Sequence, residues 1–141
     1  MKVLFVCAYN VGRSQMAEGL FNKYITGSQA DSAGTIVADD EGETIEERAQ
    51  TGGGAKHVIA VMDEEGIDVR QSKRNQVTEE ILQNYDKVIV MAEKDTIQNW
   101  LSTSDKFIYW KVEDPRFKGL EAARETRNLI KDKILNHFKN Q

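Results

Sequence analysis

Short apolar runs alternate along the chain with longer stretches in which apolar residues recur every three to four positions. Lys2 to Val6 is a partly β-branched apolar run that ends at a loop, the pattern of a buried strand. Met16, Ala17, Leu20, Phe21 and Tyr24 then share one helical face, with Ser14 placed to cap that helix. Ala30 to Thr35 reads as a second short strand. Residues 36 to 54 are polar and acidic and end in Gly52-Gly53-Gly54, a flexible loop with one helical turn near Ile45 to Arg48. Ala55 to Glu65 is a helix closed by Gly66, and Thr78 to Asn84 a short helix capped by Thr78. Lys87 to Ala92 is a third strand, Asp95 to Leu101 a helix and Lys106 to Trp110 a fourth strand. After Pro115 a long helix carries the stripe Leu120, Ala123, Ile130, Ile134 and Phe138.

Strands that alternate with helices imply an α/β fold, a parallel sheet covered on both faces. No repeat or linker divides the 141 residues, so the expectation is one three-layer domain over 1–141 with a polar insertion around 36–54. Ligands of such folds sit where strand C-termini meet helix N-termini, and the segment after Val6 is such a junction.

Composition narrows the classes of function. A formal net charge of −4 argues against nucleic acid as a partner. No apolar run is long enough to span a bilayer, and the apolar start is too short for a signal peptide. Cys7 is the only cysteine, so no internal disulfide can form, and a lone thiol suits a reducing cytoplasm. His57 and His137 are the only histidines and have no zinc-type spacing, so neither a metal nor another cofactor is expected.

The chemistry concentrates in Cys7-Ala8-Tyr9-Asn10-Val11-Gly12-Arg13-Ser14. Backbone N–H groups in a strand-to-helix turn of this length can converge as an anion nest, and the following helix adds its positive end. Arg13 supplies a planar fork that matches two oxygens of a phosphate-like ion. The same field favours the thiolate of Cys7, placed for in-line attack on an anchored phosphorus or arsenic atom. Ser14 can donate a hydrogen bond to the sulfur and ease its departure. Gly12 permits close backbone approach, and Asn10 can hold the loop through bonds to backbone. A free cysteine after a strand is most often a small buried hydrophobe, and Cys-x5-Arg recurs by chance. The strand–loop–helix setting favours the chemical reading.

This loop, continued by Gln15-Met16-Ala17-Glu18, resembles the low-molecular-weight protein-tyrosine-phosphatase family, and especially its arsenate-reductase-like branch. Ser32-Ala33-Gly34, Tyr85-Asp86-Lys87-Val88 and Asp114-Pro115 follow in that family's order. The resemblance implies a four-stranded parallel sheet and a cysteinyl-phosphate or arsenate-adduct mechanism. In it Cys7 is the nucleophile, Arg13 the oxyanion ligand and Ser14 the thiolate stabiliser, with Asn10 and Ser32 as braces. Typical phosphatases of the family carry a second cysteine just before the arginine, where this chain has Gly12. Thioredoxin-coupled arsenate reductases use two further cysteines, which this chain lacks. An arsenate reductase built on this chain therefore needs an external thiol of the glutathione or mycothiol type. Tyr9 stands where many phosphatases have glycine and is a candidate for the pocket rim. Val11 is aliphatic, which in this family suits phosphotyrosine better than phosphoarginine.

A leaving group needs a proton, and the attacking water or thiol then needs a base; one carboxylic acid can serve both in turn. Asp114, stiffened by the sole proline Pro115, is the candidate, with Glu113 as its neighbouring alternative. Asp-Pro is also a common turn initiator, and it is the resemblance that assigns the role to Asp114. The acidic stretch Asp39 to Glu47 reads as a solvated loop, His57 and His137 as structural or solvent-facing, and Lys73-Arg74 as too short for nucleic acid. Trp100, Tyr109 and Trp110 include core residues, with Trp110 near enough in sequence to Asp114 to reach the pocket mouth. Three functions follow in order: a phosphomonoesterase of the phosphotyrosine type, a single-cysteine arsenate reductase, and a phosphate-binding module without turnover. The partners are phosphate, arsenate or a phosphorylated substrate, with an external thiol for the second.

Overall fold

A computed structural model describes residues 1–139. Four strands form one parallel sheet in the order β2-β1-β3-β4. They are β1 (Lys2–Cys7), β2 (Gln29–Gly34), β3 (Lys87–Val90) and β4 (Phe107–Tyr109). Strand β1 pairs Lys2 to Cys7 with Gln29 to Gly34 on one side and Val3 to Val6 with Lys87 to Val90 on the other. Being central, it is buried on both faces, which explains its unbroken apolar run.

The helices are α1 (Arg13–Tyr24), α2 (Ile45–Thr51), α3 (Ala55–Asp63), α4 (Asn99–Ser102) and α5 (Leu120–Ile134). One face of the sheet packs Val3, Phe5 and Ile89 against α1, α3 and α5 through Met16, Phe21, Val58, Met62, Ile130 and Ile134. The other packs Leu4, Val6, Val88 and Val90 under Val77, Leu82 and Leu101. That cover is made of short turns, the 3-10 segment Glu80–Asn84 and α4, rather than long helices.

Several local expectations are revised. The N-cap of α1 is Gly12, so Ser14 lies inside the first turn, and its hydroxyl does not cap the helix. The helix expected over Asp95 to Leu101 is divided into Lys94–Thr96 and α4, because Ile97 and Gln98 adopt extended backbone. Leu120 is 39% exposed, while Arg127 is buried on the inner face of α5 with Ala123 and Ile130. The segment 36–54 holds the 3-10 turn Ala38–Asp40 and all of α2. Thr44 and Glu47 form a reciprocal capping box at the start of α2, and Ile45 is fully buried. No helix among the described residues is long and apolar enough to cross a membrane.

Candidate active site

The C-terminal end of β1 delivers Cys7 to the floor of a cavity of about 260 Å³. Tyr9, Val11, Gly12 and Arg13 come from the loop, and Asp114, Pro115 and Arg116 from the segment after β4. Asp40, Arg48, Gly53, Gly54, His57 and Val58 come from the 36–58 region, with Arg74 beneath them. Cys7 and Arg13 thus share one cavity with Asp114, although Asp114 is far from them in the sequence.

The loop is braced from behind. Asn10 adopts φ +55°, and its Oδ1 accepts the Asn75 amide at 2.8 Å, which fixes the orientation of its carboxamide. Its Nδ2 then donates to Ser14 Oγ at 2.7 Å and to Ser32 Oγ at 3.0 Å. Since Ser14 Oγ accepts from Asn10, its own hydrogen is free for Cys7 Sγ, 3.0 Å away. Ser32 passes its hydrogen to Glu18 at 2.8 Å. Burial raises the Glu18 carboxyl above its ordinary value, against the opposing bond from Ser32. Gly34 closes the back of the loop, where a Cβ would lie 2.7 Å from Ala8 O and 3.0 Å from Asn10 N. Only glycine allows that approach.

None of the backbone N–H groups of Ala8 to Ser14 finds an acceptor among the described residues. Ala8, Asn10, Val11, Arg13 and Ser14 are nevertheless buried. A run of buried donors without protein acceptors is rare and is satisfied by an anion or by water.

Arg13 lies 2% exposed across the ends of three strands. Its Nη1 donates to Met91 O at 2.7 Å and Val112 O at 3.0 Å, and Glu93 takes both terminal nitrogens at 3.0 and 2.9 Å. The Nε and one Nη2 hydrogen are left for a ligand. Burial opposes the charge of Arg13, but the hydrogen bonds of Glu93 and the nearby charges of Cys7, Glu93 and Asp114 outweigh it and raise the guanidinium above its ordinary value. In return Arg13 holds the Glu93 carboxyl below the ordinary range, against burial. Glu93 escapes a reading of the sequence. The available signal is its place just beyond β3, whose C-terminal end must lie beside that of β1 in a parallel sheet.

Asp114 Oδ1 accepts the Arg116 amide at 2.9 Å, and Oδ2 lies 3.8 Å from Arg13 Nη2 and from Arg116 Nε. Glu113, the alternative acid, is 81% exposed, 3.6 Å from Lys118, and does not line the cavity. Trp110 packs in the core against Phe5 and does not reach the mouth. Tyr9 does form part of the rim, with the Arg116 guanidinium 4.4 Å from its ring centroid. His57, Arg48 and Arg74 also line the cavity, and no local pattern in the sequence marks them for it. Glu43 holds Arg48 at 2.8 Å and Arg74 at 2.7 Å, and these bonds, from Arg48 first, hold its carboxyl below the ordinary range. Among the described residues no group of three or more His, Cys, Asp or Glu side chains is placed to hold a metal.

A profile described as low molecular weight phosphotyrosine protein phosphatase matches residues 2–140. A relative from Synechocystis sp. named a glutaredoxin arsenate reductase is 32% identical over 137 residues, which is 96% of this chain and 94% of the relative. An arsenate reductase of Staphylococcus aureus is 29% identical over 95% of this chain and 93% of its own length. The crystal structure of a low-molecular-weight protein tyrosine phosphatase from T. tengcongensis superposes with a TM-score of 0.81 at 28% identity, covering 100% of this chain and 99% of the other. An arsenate reductase in a phosphate-binding state gives 0.75 at 27% identity, with 99% and 97% covered.

Proposed function

The chain belongs to the low molecular weight phosphotyrosine protein phosphatase family and is a cysteine-dependent enzyme, and from that premise we propose that it is a phosphomonoesterase working through a phosphocysteine at Cys7. The observation that carries this reading is the run of seven acceptorless amides from Ala8 to Ser14 beside the open edge of Arg13. Such donors hold the three non-bridging oxygens of a phosphoryl group above the sulfur. The Cys7 thiolate attacks phosphorus, the P–O ester bond breaks, and Asp114 gives its proton to the departing oxygen. The Asp114 carboxylate then takes a proton from water, the water oxygen bonds to phosphorus, and the P–S bond breaks. Sulfur leaves as a thiolate that Ser14 stabilises by its free hydrogen. Water is the only other reactant this sequence of steps needs. The single thiol stays reduced in a cytoplasm, where we place the reaction.

A second reading, arsenate reduction, is favoured by the name of the 32% identical relative. Cys7 would bond to arsenic with loss of water. An external thiol would then attack the sulfur, so that arsenite leaves with the two electrons and Cys7 is left in a mixed disulfide, which a second thiol reduces. Side-by-side assays separate the readings: hydrolysis of aryl phosphates without thiol, and arsenite formation with glutathione. Hydrolysis is expected in the first, and Cys7→Ser is expected to abolish it while vanadate still binds. Arsenite formation without phosphatase turnover would replace the first reading by the second. Full activity in Cys7→Ser would end both.

A further inference from the structure

The four arginines that line the cavity are not equivalent. Arg13 is held by Glu93, and Arg48 and Arg74 share Glu43 with Asp40 beside them. Arg74 also spends its Nε on Tyr9 O at 3.0 Å. The Arg116 guanidinium makes no hydrogen bond to any described residue. Its nearest carboxylate oxygen, Asp114 Oδ2, is 3.8 Å from Nε, beyond hydrogen-bond reach. The group is nevertheless partly enclosed. It lies 4.4 Å from the Tyr9 ring centroid and 5.0 Å from that of Phe117, and its stem packs against the Gly54 turn.

A cation resting on an aromatic face keeps its charge and its N–H donors. Placed at the wall of a cavity whose floor binds an oxyanion, it is ready for a second anionic group on the same ligand. His57 lines the same cavity from α3, and its ring has no hydrogen bond to a described residue. Asp114 strengthens the argument. When it carries the proton it is to donate, Arg116 loses its nearest counter-charge, so an external anion is wanted most in the productive state.

We propose that Arg116, supported by Tyr9 and with His57 lining the same cavity, is a carboxylate subsite that selects ligands with an anionic group next to the transferred oxyanion. The inference rests on the reading that the Cys7 cavity holds that oxyanion. The carboxylate could belong to the leaving group of a phosphate ester or to a small thiol that attacks after it.

The first arm of the test compares binding of phenylphosphonate and 3-carboxyphenylphosphonate, read by calorimetry so that turnover is not required. The wild-type protein is expected to prefer the carboxylate by about five- to tenfold, less at high salt, as for a partly exposed charge-assisted contact. Arg116→Met keeps the stem and the backbone amide that holds Asp114, and should bring the ratio to about one. The second arm compares 3-mercaptopropionate with 2-mercaptoethanol in arsenate reduction; selectivity confined to this arm assigns the subsite to the thiol. Equal binding by the wild type in both arms, or a preference that survives Arg116→Met, overturns the subsite while leaving the oxyanion site standing. Failure of both phosphonates to bind overturns the oxyanion site and the subsite together.

Discussion

Replacing Glu93 by glutamine tests whether Arg13 depends on its clamp. Glutamine keeps the shape and one acceptor but removes the charge that takes both terminal nitrogens at 3.0 and 2.9 Å. Breaking a fully buried ion pair costs about 3–5 kcal/mol, and a surface pair about 0–1 kcal/mol. Here Arg13 is 2% and Glu93 46% exposed, so the pair falls between these limits. Met91 O and Val112 O still hold Nη1 in the variant, which lowers the cost further. About 1–2 kcal/mol remains, a decrease in kcat/KM of roughly 5- to 30-fold. Steady-state hydrolysis of p-nitrophenyl phosphate reads that change, and vanadate affinity should fall with it. A thermal melt separates misplacement of Arg13 from loss of fold. A well-folded Glu93→Gln protein with kinetics within twofold of wild type would refute the argument, because Arg13 would then be positioned by the backbone carbonyls alone.

Asp114→Asn should slow phenyl phosphate, with its basic leaving oxygen, far more than p-nitrophenyl phosphate, because protonation matters most for poor leaving groups; an unchanged ratio of the two rates would remove Asp114 from the mechanism. His137 is the basis of a pH prediction. Its Nε2 is buried without a partner, and burial, then the charge of Lys87, lower its affinity for a proton below the ordinary value of 6.5. As pH falls through that unfolded value the unfolded chain takes up a proton that the folded chain refuses, so stability present above it is progressively lost. Urea titrations from pH 8 to 5 should show this loss, and His137→Leu should flatten it; identical slopes in the two proteins would show that another group is responsible.

The sheet was legible because its two inner strands are buried on both faces and therefore appear as the runs Val3-Leu4-Phe5-Val6 and Val88-Ile89-Val90, whereas the edge strand β2, Gln29–Gly34, carries a much weaker signal. The Cys7 loop was legible because its chemistry lies in consecutive residues. What escaped was whatever depends on distant segments meeting. Glu93 is an ordinary exposed acid until β3 is placed beside β1. Arg48, Arg74 and Glu43 look like surface charge until α2 folds over the cavity. Thr44-x-x-Glu47, which starts that helix, was present as a capping signal inside a stretch whose acidity suggested only solvent. Ser14 was misplaced for a local reason: a hydroxyl at a loop–helix junction fits a cap, but here the stronger claim on it comes from Asn10 and Cys7.

The central position of β1 also sets an order of events during synthesis. The first 34 residues contain Cys7, the loop that follows it, α1 and the β1–β2 pair. The Asn75 amide that fixes Asn10 emerges later, and the acceptors of Arg13 at Met91, Glu93 and Val112 later still. Until then Arg13 has no acceptors for the position it finally occupies, and the side of β1 meant for β3 is an open template for pairing with other chains. A ribosome-bound fragment therefore carries Cys7 long before it carries the groups that surround it in the finished cavity. The cavity is complete only with the last third of the polypeptide, which supplies Val112 and Asp114, so on the proposed mechanism fragments ending before Val112 are expected to be inactive.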